Sequence, residues 1–166
     1  MEIRKINESD DLNEISSIYE KSWKWAYKGI IPQDFLDGIA EGKWINHLKK
    51  HEMTSFVTVA DGRLIGTSSI CPSRFECFSG MGEIVSIYFL PEFAGMGYGS
   101  LLLEAICDEL RETGYNKAFL WVLEDNVRAR RFYEKNGFVC TDEVLNDNIG
   151  GKPLKEIAYV RELYAL

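Results

Sequence analysis

The chain has 166 residues, 46% hydrophobic and 27% charged, with a formal net charge of −7. That length fills one core and is short for two, so a single domain over residues 1–166 is expected. The acidic balance argues against nucleic acid as a partner, and no apolar run reaches the roughly 20 residues of a membrane span.

Glu2 to Ile6 alternates like a strand, and the opening residues lack a signal peptide's apolar stretch, so the expected compartment is the cytoplasm. Ser9 to Ala26 reads as an amphipathic helix on Leu12, Ile15, Ile18, Tyr19 and Trp23, with Ser9 or Asp10 as cap. Pro32 separates it from a second helical stretch, about Gln33 to Lys50, carrying Phe35, Leu36, Ile39 and Trp44. Ser55 to Ala60 and Arg63 to Cys71 form a hairpin around Asp61-Gly62, a strong turn signal. A strand follows from Glu83 to Leu90, its alternation placing Glu83 on the face of Ile87. After Pro91 come three alternate glycines, Gly95, Gly97 and Gly99, and a helix on Leu102, Leu103, Ile106 and Leu110. Lys117 to Leu123 is the next strand. A helix then runs from a cap at Asp125 or Asn126 to a glycine stop at Gly137. Two strands, about Val139 to Glu143 and Glu156 to Leu163, close the chain across a turn-rich link from Asn146 to Lys152.

The glycine loop carries the first functional signal. Glycines let backbone N–H groups converge without a Cβ in the way, and a helix N-terminus adds unpaired donors and a positive dipole end. Strand, glycine loop and helix in series therefore build a seat for a phosphate or pyrophosphate. The spacing is not that of a nucleoside triphosphate loop, Gly-x-x-x-x-Gly-Lys-Ser/Thr. A dinucleotide fingerprint belongs on the first strand of its unit, whereas this loop lies past the chain midpoint. In the later helix Asn126 and Tyr133 are seven residues apart, which puts them about two turns along one side.

These two segments together, Glu83 to Phe138, resemble the GCN5-related N-acetyltransferases. The resemblance implies an α/β fold with a central mixed sheet of six to seven strands, flanked by about four helices. It also implies acetyl-CoA as co-substrate, held by the loop residues Ala94, Gly95, Met96, Gly97, Tyr98, Gly99 and Ser100. Backbone groups of Ile87, Tyr88 and Phe89 would pair with the pantetheine arm as with a short extra strand, and Asn126 would hold it from the other side. Tyr133 is then the candidate acid for the departing thiol and Glu83 the candidate base for the amine. One position departs from the family pattern. Ala94 stands where Arg or Gln usually precedes the first glycine, and Arg128, Arg130, Arg131 or Lys135 are the candidates to replace that phosphate contact.

The expected reaction is acetyl transfer from acetyl-CoA to a primary amine, by direct attack in a ternary complex. A small molecule is the favoured acceptor: a polyamine, an amino sugar or an amino acid-like amine. Trp23, Tyr27 and Phe35, interleaved with carboxylates, suit such a cation. A protein N-terminal or lysine acetyltransferase and an idle CoA-binding module are the alternatives. No nucleic acid, membrane or metal is expected, and a homodimer is left open. His47 and His51, four apart, read as a solvated helix end. Cys71, Cys77, Cys107 and Cys140 form no Cys-x-x-Cys pair and read as reduced and structural.

Overall fold

The computed structural model describes residues 1–164, so the last two residues of the expected 1–166 domain lie outside the description. One seven-stranded sheet forms the centre, in the order β1-β2-β3-β4-β5-β7-β6. Its strands are β1 (Glu2–Lys5), β2 (Thr54–Ala60), β3 (Arg63–Pro72), β4 (Gly82–Phe89), β5 (Lys117–Leu123), β6 (Val139–Ile149) and β7 (Lys152–Glu162). Only β4 and β5 run parallel; every other neighbouring pair is antiparallel. The helices are α1 (Leu12–Ala26), α2 (Gln33–Asp37), α3 (Ile45–Leu48), α4 (Tyr98–Glu112) and α5 (Val127–Lys135). Among the described residues no helix is long and apolar enough to cross a membrane.

Both faces of the sheet are covered. Leu102, Leu103, Ile106 and Leu110 of α4 are 2% exposed or less and pack on Ile70, Ile84 and Leu120. On the opposite face Ile15 and Tyr19 of α1 pack against Val57. The Tyr19 hydroxyl bonds Ser69 of β3 at 3.2 Å and Ser86 of β4 at 2.9 Å, satisfying three buried polar groups and fixing α1 across two strands.

Several boundaries move from the sequence expectation, each for a local reason. Asp11, not Ser9 or Asp10, caps α1, its carboxylate accepting from Asn13 N–H; Asp10 is held by Arg4 at 2.7 Å instead. The stretch Gln33 to Lys50 is not one helix. It stops at Gly38, and Gly42, at φ +72°, turns the chain before α3 begins. His51 falls beyond α3, and His47 is no solvated end: its ring lies edge-on to Tyr19, and its Nε2 is buried. The turn-rich link from Asn146 to Lys152 is mostly strand. β6 and β7 continue to a two-residue turn, Gly150-Gly151, with both φ positive, as the tight hairpin geometry demands. Cys71 and Cys107 are buried, whereas Cys77 and Cys140 are exposed, and all four are free thiols.

Candidate active site

The site originates in a defect of β4. Ser86 pairs with Ser69 of β3 and Ile84 with Ile70, which leaves Val85 without a partner. This β-bulge inserts one residue and breaks the two-residue alternation. Ile84, Ile87 and Phe89 face α4, whereas Ser86 and Tyr88 face α1. Glu83 therefore shares the face of Ser86 and Tyr88 rather than that of Ile87. The sequence expectation is wrong here because strict alternation does not survive the extra residue.

The parallel pair β4 and β5 is joined only at Gly82↔Ala118 and Glu83↔Phe119, and beyond these the strands part. The opening leaves the β4 edge from Ile84 to Phe89 without a neighbouring strand and forms a cavity of about 620 Å³. Its lining runs from the glycine loop, through β4 and β5, to α1, α5 and the β6–β7 hairpin.

At one end of the cavity lie Ala94, Gly95, Gly97, Gly99 and Ser100. Gly97 is the N-cap of α4 at φ +88°, and no side chain caps that helix, so its first amides have no side-chain acceptor. A Cβ built on Gly95 or Gly97 would meet nothing within 4 Å. The space in front of the loop is open. Gly99 serves packing instead, since a Cβ there would come within 3.2 Å of the Phe132 ring on α5. Met96 and Tyr98 belong to the loop but not to the cavity wall: Met96 is 63% exposed, and Tyr98 stacks on Phe89. Of the basic groups offered to replace an arginine at Ala94, Arg130 is tied to Tyr159 and to the Glu124 carbonyl. Arg128 lies over the Trp25 ring at 3.8 Å, Arg131 is solvent-exposed, and Lys135 lines the cavity.

Asn126 has both roles that the sequence leaves open. Its side-chain oxygen accepts from Ala129 N–H at 3.2 Å, capping α5, and the residue also lines the cavity. One side of α5 further on presents Tyr133, its ring against Phe132 and Phe138. Among the described residues the Tyr133 hydroxyl has no side-chain hydrogen-bond partner. Burial raises the pKa of this phenol above the ordinary tyrosine value, with nearby Tyr88 adding to the effect. Tyr27 and Tyr88 join hydroxyls at 3.1 Å beside it, and burial pushes Tyr27 up to about 12.

Glu83 also lines the cavity, at 1% exposure. Arg74 holds its carboxylate through Nη2 at 2.6 Å and Nε at 3.0 Å, and the Arg74 backbone N–H adds a third bond at 3.1 Å. The sequence reading missed Arg74. It lies nine residues away in the connection after β3, with no motif to mark it. Of the three aromatics offered to an acceptor, Trp23 and Tyr27 line the cavity and Phe35 does not. Phe35 packs beneath the Gly150 turn, and the chain's own Lys43 stands over it at 4.8 Å, also reaching the Trp23 and Trp44 rings. Part of the expected cation-binding face is thus already filled from within.

The model of the "Acetyltransferase (GNAT) family" matches residues 12–138. An uncharacterized N-acetyltransferase, YuaI of Bacillus subtilis (strain 168), is 30% identical over 89% of this chain and 86% of its own. The spermidine N(1)-acetyltransferase of Thermoplasma acidophilum is 25% identical over 86% of this chain and 90% of its own. In fold, the chain is similar to the PaiA N-acetyltransferase of Thermoplasma acidophilum solved in complex with coenzyme A. That likeness has a TM-score of 0.77 at 23% identity and covers 98% of this chain and 99% of the other.

Proposed function

The chain belongs to the acetyltransferase (GNAT) family, and from that premise we propose that it acetylates a primary amine of a small cationic molecule by direct attack in a ternary complex. One observation carries this reading. The parting of β4 and β5 makes a single cavity that is continuous from the glycine loop to a pocket walled by Trp23, Tyr27 and Trp121. The spermidine acetyltransferase among the relatives supports an amine of this class.

Acetyl-CoA is the co-substrate and supplies the acetyl group as a thioester. The residues present fit it. No Cβ at Gly95 or Gly97 obstructs the approach of a pyrophosphate to the N-terminus of α4, and the unpaired β4 edge offers backbone groups to an extended amide chain. Asn126 flanks that chain from α5. A backbone N–H between Ile87 and Phe89 serves to polarise the thioester carbonyl. Tyr133 holds its proton throughout the neutral range and donates it to the departing sulfur. Glu83, oriented by Arg74, takes the proton of the attacking amine through water. Nothing in the uncharged Ala94 side chain strengthens phosphate binding; of the candidate replacements, Arg128 and Lys135 line the cavity.

An acetyl-CoA-dependent thiol-release assay across small amines, amino acids and short peptides tests the reading. Turnover is expected with cationic small amines. Turnover confined to peptides would replace the acceptor class, and CoA binding without release from any acceptor would leave an idle CoA-binding module. A second expectation concerns Glu83. Glu83→Gln lowers the rate most at low pH, where free amine is scarcest, and the deficit shrinks as rising pH deprotonates the acceptor unaided. A deficit independent of pH, with a lowered melting temperature, would reduce Glu83 to an anchor for Arg74.

A further inference from the structure

Two carboxylates line the cavity, Glu83 and Glu156. The first is neutralised by Arg74. The second is not: among the described residues no Lys or Arg side chain pairs with Glu156, and its carboxylate has no side-chain hydrogen bond. On β7 it stands between Leu123 of β5 and Leu145 of β6, its partners in register on either side. These apolar neighbours strip water from the carboxylate. Burial accordingly raises its pKa, and Asp147 adds negative potential from β6. A partly buried anion without a partner destabilises a fold, so its place in a cavity wall needs a reason.

The surroundings supply one. Trp121 lies on the same sheet face, paired with Ala158 two residues along from Glu156, and its indole Nε1 is buried with no partner. Tyr27 packs against the cluster that holds Leu123, the register partner of Glu156, and the Glu156 carboxylate adds to the rise in the Tyr27 pKa. This part of the cavity combines aromatic walls with one uncompensated negative charge. A carboxylate touching the attacking nitrogen would favour its ammonium form and oppose attack. The charge is useful on a nitrogen that stays protonated.

We propose that Glu156 is the counter-ion for a second, non-reacting cationic centre of the acceptor, so that the preferred substrates are diamines or polyamines rather than monoamines. This rests on the reading of the cavity as the acceptor site. Trp121 and Tyr27 wall the site, and Glu156 selects charge. Glu156 is a positioning residue, with no part in proton transfer.

The test compares α,ω-diamines of graded length, each against the monoamine of equal carbon count, as acceptors for the purified protein with acetyl-CoA. The intact protein prefers the diamine in kcat/KM, through a lower KM. Glu156→Gln collapses that preference roughly tenfold or more, as expected for loss of a charge-assisted contact, and Glu156→Asp retains part of it. An unchanged preference in Glu156→Gln, or equal losses on diamine and monoamine, overturns the proposal. Calorimetric titration of diamine into CoA-saturated protein reads the same contact without turnover. Weaker diamine binding by Glu156→Gln supports the proposal even where no acetyl transfer occurs, and equal binding overturns it. Absence of thiol release with every amine, by contrast, counts against the acetyltransferase reading itself.

Discussion

Tyr133→Phe is expected to lower kcat by roughly 10²-fold or more while the KM for acetyl-CoA barely moves, because the substitution removes one proton donor and little else. The Tyr133 ring packs against Phe132 and Phe138, with centroids 5.2 and 5.9 Å away, and phenylalanine keeps both contacts. The hydroxyl is free to face a ligand, since no side chain of the described residues bonds it. Its raised pKa also fixes the sign of the pH dependence. An acid whose pKa lies above the usual tyrosine value stays protonated as pH rises through the alkaline range. The kcat of the intact protein should therefore show no loss from this group below about pH 10. Steady-state kinetics and a melting curve on the same variant separate the roles. A lowered melting temperature with turnover per folded molecule preserved would make Tyr133 a packing residue.

The glycine loop carries the second large effect. Gly97→Val should weaken CoA binding at least about tenfold, or about 1.4 kcal/mol. Two causes act together. Gly97 sits at φ +88°, a conformation costly for a β-branched residue, and its missing Cβ opens onto the cavity rather than onto protein. Gly114 provides the control. It also has positive φ, +101°, with nothing near its Cβ position, but it lies beyond the other end of α4 and outside the cavity lining. Gly114→Val should lose stability from strain and keep CoA affinity in the folded fraction. Calorimetry on both variants distinguishes an obstructed ligand seat from a merely strained helix end. Equal affinity in folded Gly97→Val would sink this placement of the phosphates.

What the amino-acid sequence determined by itself is what short windows encode. The bounds of β5, Lys117 to Leu123, follow from its apolar run, and the Asp61-Gly62 turn follows from two residues that accept positive φ. The glycine loop, a cap at Asp125 or Asn126 and the placement of Tyr133 on α5 are likewise local, set by turn chemistry and by the 3.6-residue period. Tertiary structure decided the pairings. Whether Glu83 faced Ile87 or Tyr88 depended on a bulge at Val85, and a bulge exists only relative to a partner strand. Arg74 reached Glu83 because the chain after β3 folds back beside β4. Lys43 came to stand over Phe35 and Trp23 because the helix that periodicity favoured ends at Gly38 and the chain turns at Gly42. Glu156 reads as one more polar residue in a strand. Only the order β5-β7-β6 set it between two leucines, in the wall of a cavity, with no counter-charge among the described residues. Spacing along the chain fixes which way a side chain points within its own element, whereas the dielectric and the partners it meets are set by residues far away in sequence.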